Sequence, residues 1–314
     1  MQSFNPLIMQ TIKYALLISC GLLLTFCRPA AKPQGSAPLE KTVLWEVSGK
    51  GLPAPSYLFG TIHAVCSEDL AITETIKSRL GAAQQLYLEL DMDDPNMLGG
   101  MQGLMSMQGL LFMKDGTTLE SLLSEADYQL VNGYFSDSLG IPLGLMKNIK
   151  PFFLTSMMLP AVMDCQPASW ETSLAGLAKA KGTEVKGLET VEEQLSFFDK
   201  ISYQDQAAML VESLRNAGKS KEEFQSLLSL YKQGDIEALQ KIVTAQSSGL
   251  GKYDQLLVTE RNNRWVPLVE KAAREKPTFF AFGAGHLGGP EGMVRLLRKA
   301  GYTVTPVMEE AKKG

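Results

Sequence analysis

Histidine is nearly missing from this sequence: 314 residues contain two, His63 and His286. So small a number excludes a histidine-rich zinc site, and no His-Glu-x-x-His helix occurs. A Gly-x-Ser-x-Gly elbow is also missing, which argues against a serine hydrolase built on that turn. There is no excess of basic charge; the formal net charge is −4, so no positive field is available for a phosphate backbone and nucleic acid is not an expected partner. Cysteine is scarce, with four residues. Cys66 and Cys165 stand far apart in no metal-like spacing. They are a candidate disulfide in an oxidising compartment, or else two separate buried small residues. No repeat of roughly 20–50 residues is visible. The apolar run from Tyr14 to Phe26 is too short to cross about 30 Å of hydrocarbon, and has the length of a signal-peptide core.

That run follows Lys13 and ends at Cys27, after which Arg28 to Pro38 is a Pro/Ala-rich stretch able to bury little apolar area. A cysteine at such a junction resembles a bacterial lipoprotein acylation site. Phe26 is bulkier than the residue usual before the cut. Cys20 has the better preceding residues, but cleavage there strands Leu22 to Phe26 on the mature chain, so Cys27 is favoured. An uncleaved N-terminal anchor is the alternative. The expected organisation is a signal peptide and anchor over 1–27, a linker over 28–41, one domain over 42–308 and a tail over 309–314.

Strand-like runs occur at Thr42–Val47 and Ser56–Gly60, separated by a Gly/Pro-rich segment that predicts a hairpin. Beyond His63, Glu68 and Asp69 are read as opening a helix with Leu70, Ile72, Ile76 and Leu80 on its apolar face, followed by a strand at Gln85–Leu90. From Pro95 to Gly182 the pattern is mainly helical, with breaks at Gly140–Pro142, Lys150–Pro151 and Leu159–Pro160 and no persuasive strand. A strand at Glu184–Leu188, a helical stretch over Glu192–Lys276, a strand at Pro277–Phe282, a helix near Glu291–Ala300 and a strand at Tyr302–Val307 complete the chain. The expected fold class is α/β: a mixed sheet formed by strand units from both ends, with a large helical middle packed over it. The methionine-rich segment Met97–Met113 is read as ordinary helix packing, with a mobile substrate lid or soft-metal capture by thioethers as alternatives.

The two histidines share a local setting. Each closes a Gly-x-x-His turn, Gly60-Thr-Ile-His63 and Gly283-Ala-Gly-His286, directly after an apolar, aromatic-containing strand. In open α/β sheets ligands collect outside the carboxyl ends of strands, and glycine there permits a tight turn and close backbone approach, which makes Gly60 and Gly283 candidate ligand-facing positions. The second turn lacks the Walker lysine and the Rossmann glycine spacing, so it is not a convincing phosphate loop.

These two turns, together with Glu89 in Leu86-Tyr-Leu-Glu-Leu90, Gly187-Leu-Glu-Thr-Val-Glu-Glu-Gln194 and Glu260-Arg-Asn-Asn263, occur in that order between about Val43 and Val307. The ordered set resembles the TraB/PrgY/GumN family, which includes the membrane-anchored Tiki proteases and looks related to erythromycin esterases and a haem-binding lipoprotein group. The resemblance implies a metal-dependent hydrolase site in which His63, His286 and Glu89 bind Mn²⁺, Co²⁺ or Zn²⁺. Glu189, Gln194, Arg261 and Asn262 would complete a polar cleft for a peptide or small-molecule substrate.

Elementary chemistry permits that set: imidazole and carboxylate bind such ions, a bound water becomes acidic, and a free carboxylate can take its proton. With only two imidazoles, other ligands must be carboxylates or backbone oxygens, which favours a weaker, Mn²⁺-like site. Arg261 is read as a stabiliser of a developing oxyanion. The bland alternative is that Arg261 pairs with Glu89 or Glu189 and satisfies buried charge with no metal. Thr190 with Glu193 three residues on also reads as a capping box, and that is the preferred reading for Glu192 and Glu193. The functional alternative to a hydrolase is a non-enzymatic envelope lipoprotein that binds haem, a metal ion or a peptide.

Overall fold

A computed structural model describes residues 37–91, 109–163, 165–245 and 251–309. The expected acylation site at Cys27, most of the linker and the methionine-rich segment up to residue 108 lie outside the described residues. From Pro38 the chain belongs to one compact unit, so it enters the fold a little ahead of residue 42, and Leu39 is already part of a core.

Among the described residues six strands form the main sheet: β1 (Leu44–Ser48), β2 (Ser56–Thr61), β4 (Gln85–Leu90), β6 (Glu184–Glu189), β7 (Thr278–Gly283) and β8 (Thr303–Pro306), in the order β6-β4-β7-β2-β1-β8. β6, β4, β7 and β2 run parallel, and β1 pairs antiparallel with both β2 and β8. The predicted hairpin is therefore β1–β2, its reversal made through Gly49, Lys50 and Gly51, all at positive φ. Two short strands, β3 (Val65–Cys66) and β5 (Pro167–Ala168), make a separate antiparallel ladder.

Alternation along the strands divides the core into two layers, as a sheet covered on both faces requires. Phe280 and Phe282 of β7 pack with Trp45, Trp265, Val269 and Leu297 on one face. Phe279 and Ala281 pack with Phe59, Leu86, Leu88, Leu80 and Trp170 on the other. The predicted mixed sheet and its helical cover are both present. A third cluster joins Leu119, Phe135, Leu154 and Leu210 within the helical middle. Its breaks fall where expected: Gly140 has a positive φ, Pro151 opens the helix Pro151–Met157, and Leu159–Pro160 begin another. Met113, the end of the methionine-rich segment, is an ordinary member of this cluster.

Three local expectations need correction. Glu68 and Asp69 sit in a 3₁₀ turn, and the helix after His63 is α1 (Glu74–Ala82). Its start is set by Thr73, whose hydroxyl accepts the Ile76 N–H at 3.2 Å, and which leaves Leu70 and Ile72 in the preceding loop. The final helix begins at Met293 rather than near Glu291. A Cβ at Gly292 would lie 2.1 Å from the Gly288 carbonyl oxygen, a close return of the backbone that delays the helix. Strand β5 lies in a stretch read as helical; two residues are too few to show alternation, and their place is set by the partner β3.

Candidate functional site

The parallel pairing of β2 with β7 aligns Gly60 with Phe282 and Thr61 with Gly283, so both Gly-x-x-His turns leave the sheet side by side at its carboxyl edge. β4 lies against β7 on the other side and ends close to them, with Glu89 as its penultimate residue. The next strand, β6, ends in Glu189. Helix α7 (Val191–Phe198) starts at once, with the Thr190–Glu193 capping box in place, and Gln194 falls in its first turn. Arg261 and Asn262 come from the first turn of α11 (Glu260–Glu275), which packs through Trp265 and Val269 on the same face of the sheet as Tyr87. Every predicted site residue except Cys27 is thus at one sheet edge.

Arg261 is the centre of this arrangement. Its Nε donates to both Glu189 oxygens at 3.2 and 3.1 Å, and its Nη2 donates to Glu189 Oε2 at 2.9 Å and to Glu89 Oε2. Nη1 donates to the Leu257 carbonyl at 3.3 Å and faces His286 Nε2 at 3.2 Å. Gln194 Nε2 adds a bond to Glu89 Oε2 at 3.0 Å, and the Gly283 N–H donates to Oε1 at 2.7 Å. Burial pushes the Glu89 carboxyl up, but Arg261, the two imidazoles and the Gly283 N–H outweigh it and hold the group well below the usual carboxylate range. Glu89 is therefore a buried, fully ionised carboxylate. The Arg261 guanidinium also lies over the Trp265 ring, 4.6 Å from its centroid.

The two histidines have different surroundings. His286 is buried: Nδ1 meets Asn262 Oδ1 at 2.7 Å, and the ring lies 4.6 Å from the Trp265 ring. Asn262 Nδ2 donates to the carbonyls of His286 and Glu291 at 3.2 and 2.8 Å, so one side chain holds the whole turn. Burial, with the nearby Arg261 charge, lowers the His286 imidazole to about 3, which leaves it neutral. His63 has a 65% exposed side chain and places Nδ1 3.0 Å from Glu171 Oε1. Its pKa is raised, first by the Glu89 charge and then by its bond to Glu171. Solvent at the exposed ring screens part of that pull.

Each histidine points Nε2 toward Glu89 Oε1, at 3.8 Å from His63 and 4.0 Å from His286. At Gly283 a Cβ would stand 3.2 Å from Glu89 Oε1 and 3.6 Å from atoms of both rings, so glycine keeps this space open. Gly60 has another role: a Cβ there would meet Leu287 at 2.7 Å and Ala284 at 3.0 Å, so its glycine lets β2 pack against the second turn. Gly187 admits the exit of β4, where a Cβ would lie 2.5 Å from the Asp91 nitrogen.

The donor chemistry suits a divalent ion. Both Nδ1 atoms face oxygen acceptors, the arrangement that orients metal-binding imidazoles, and Glu89 Oε1 is free of the arginine. The predicted three-ligand centre, however, is not assembled. Among the described residues the only His/Cys/Asp/Glu trio whose ligand atoms all lie within 4.8 Å of one another is Cys66, Glu68 and Cys165, and those cysteines form a disulfide. Since each Nε2 is within 4.0 Å of Glu89 Oε1, the imidazoles exceed that limit from each other. Two ligands near 2.1 Å from one ion cannot be more than about 4.2 Å apart. Glu89 with either histidine meets this condition; the two histidines together do not, because Arg261 Nη1 holds His286 on its side. The expected free carboxylate base is likewise not found, since Glu89, Glu189 and Glu171 are all engaged. Arg261 instead pairs with both Glu89 and Glu189, one positive charge shared between two carboxylates, and its N–H groups go to these, to Leu257 and to His286 rather than to an open oxyanion position.

Glu171 escaped the sequence reading. It lies in the first turn of α6 (Trp170–Ala180), with its Oε1 accepting from Thr61 Oγ1 at 2.8 Å as well as facing His63. The only signal was the Cys66–Cys165 pair, which places the chain before Glu171 beside the chain after His63.

A family model described as the TraB/PrgY/gumN family matches residues 43–306. The chain is 25% identical over 332 residues to Metalloprotease TIKI2 of Danio rerio, covering 85% of this chain and 61% of that protein. Metalloprotease TIKI1 of Danio rerio is 25% identical over 308 residues, with coverages of 80% and 60%. An uncharacterized protein of Treponema pallidum is 20% identical over 276 residues, with coverages of 83% and 81%. The chain spans about three-fifths of the length of these TIKI relatives. No solved structure matches.

Proposed function

The chain belongs to the TraB/PrgY/gumN family, and from that premise we propose that it is a metal-dependent hydrolase acting on peptides, exported and tethered by a lipid on Cys27. The observation that carries the reading is the pair of Nδ1-anchored histidines whose Nε2 atoms both face one buried, ionised carboxylate oxygen. The relatives named as metalloproteases support it. The Cys66–Cys165 disulfide supports an oxidising, extracytoplasmic compartment.

Glu89 and His63 would hold the ion, while His286, whose Nε2 is engaged by Arg261, stays beside them as part of the cleft wall. When bound, such an ion acidifies its water and polarises a carbonyl. The chain's own residues do the rest. Gly283 presents its N–H to Glu89 Oε1 and keeps the cleft clear. Gln194 and Arg261 fix Oε2, so Oε1 is the oxygen that faces the histidines. Asn262 holds the His286 turn. Titration of the full-length protein with Mn²⁺, Co²⁺ and Zn²⁺ tests the reading: binding should be lost in His63→Ala and in Glu89→Gln, and peptide hydrolysis should follow the same variants. Binding that is unchanged in both refutes it.

The arginine-centred network favours a second reading, a non-enzymatic binding cleft for haem, a metal ion or a peptide, because both buried carboxylates already have a charged partner without an ion. Ligand capture without turnover, sensitive to His63→Ala, would mark that case.

A further inference from the structure

Glu171 is tied to His63 by more than proximity. Its carboxylate receives three contacts: Thr61 Oγ1 at 2.8 Å and His63 Nδ1 at 3.0 Å on Oε1, and Ser169 Oγ at 2.9 Å on Oε2. Thr61 belongs to the first Gly-x-x-His turn itself, so a single carboxylate holds two positions of that motif. Ser169 caps α6 by accepting the Thr172 N–H, which fixes where the helix and hence Glu171 begin. Immediately before it, β5 is held to β3 by the pairs Val65–Ala168 and Cys66–Pro167 and by the Ser67 N–H on the Gln166 carbonyl at 2.9 Å. The Cys66–Cys165 bond closes this ladder. The ladder has only two short strands, and an isolated ladder of that size is marginal in water, so the disulfide is the covalent tie that keeps the segment before Glu171 against the segment after His63, beside the packing of Trp170 on Phe59.

We propose that Glu171 is a positioning residue, one that holds His63 through Nδ1 so that Nε2 faces Glu89, and that the Cys66–Cys165 clasp keeps it in place. The catalytic consequence rests on the metal-hydrolase reading above; the pairing itself does not. Glu171 touches no site atom except His63 and Thr61 in the contacts above, so its effect on the cleft passes through that turn. A histidine ligand whose outer partner is removed commonly loses about ten- to hundredfold in metal affinity. The disulfide makes the arrangement sensitive to reduction.

The chain has only two histidines, so ¹⁵N-histidine labelling of the full-length, untagged protein yields two ring systems. The expected result is a slowly exchanging His63 Nδ1–H signal that disappears in Glu171→Ala, returns shifted in Glu171→Gln, and disappears on reduction with dithiothreitol, while the His286 signals stay unchanged throughout. Mn²⁺ affinity should fall about ten- to hundredfold in Glu171→Ala and recover in Glu171→Gln. A His63 signal and an affinity unchanged in Glu171→Ala overturn the proposal, as does a joint shift of both histidines, which would mark a general structural role. A His63 signal indifferent to reduction overturns the part assigned to the clasp. If the wild type binds no Mn²⁺ while the His63 signal still follows Glu171, positioning stands and the metal reading fails.

Discussion

The two Gly-x-x-His turns have the same sequence pattern and leave neighbouring parallel strands, yet their histidines are held in opposite ways. His286 is enclosed, held by Asn262, set at a tilt against Trp265 and neutral. His63 stands at the mouth, held by Glu171, and the Glu89 charge, with Glu171 after it, favours its protonated form. The motif therefore fixes only where the chain turns and leaves the sheet. Whether the imidazole ends up charged depends first on Glu89 at His63 and on burial at His286, and then on what the remote segments Ser169–Glu171 and Arg261–Asn262 bring to each ring. Those segments lie about a hundred residues after the first turn and about twenty-five before the second, so a local window cannot show them.

The comparison is broken most severely by removing its common anchor. Arg261→Leu leaves Glu189 buried without a counter-charge and Glu89 with only the exposed His63, and should cost about 3–5 kcal/mol in urea unfolding. A variant as stable as the wild type would show that the network does not hold the cleft. Next in size, Asn262→Ala removes the partner of His286 Nδ1 and two carbonyl contacts of a fully buried amide, at about 2–3 kcal/mol. His63→Ala should change stability by less than about 1 kcal/mol, because the ring is mostly exposed. Comparable losses for Asn262→Ala and His63→Ala would remove the contrast.

The pH dependence sharpens the contrast by sign. His63 has a folded pKa above the ordinary 6.5, so its contribution is full below 6.5 and is lost as pH rises through the folded value, near 9. His286 has a folded pKa near 3, so between 6.5 and 3 the unfolded chain takes a proton that the folded chain refuses, and stability falls as pH falls. Glu89 acts in the same direction further down, its depressed pKa giving stability that is present above about 4.5 and lost below. Melting temperature across pH should therefore decline on both sides, and His63→Ala should abolish only the alkaline decline. That limb is the smallest effect, since solvent screens the exposed ring.

Much of the fold was legible because its strands carry strong local signals. Tyr57–Phe59 and Phe279–Phe282 are apolar, β-favouring runs bounded by proline and glycine, and Leu86–Leu90 is apolar apart from Glu89; they form the central strands β2, β7 and β4. Thr190 and Glu193 formed the capping box their spacing predicts. Strand β5 is not legible in the sequence, since Pro167–Ala168 is placed by its pairing with Val65–Cys66 and by the disulfide. The position of α1 was misread because Glu68–Asp69 resembles an opening while Thr73 supplies the actual cap. At the site, the residue types and their gathering at one edge could be read in advance. Their division of labour could not: Arg261 takes the oxygens of both Glu89 and Glu189, and Glu171 takes His63, through tertiary contacts between elements far apart in the chain.

Nuclear magnetic resonance titration of the two histidine rings tests this account most directly. The prediction is one ring titrating above 6.5, toward 9, assigned to His63 by its loss in His63→Ala, and one that stays neutral until pH falls toward 3. Two curves that both centre near 6.5 would contradict it.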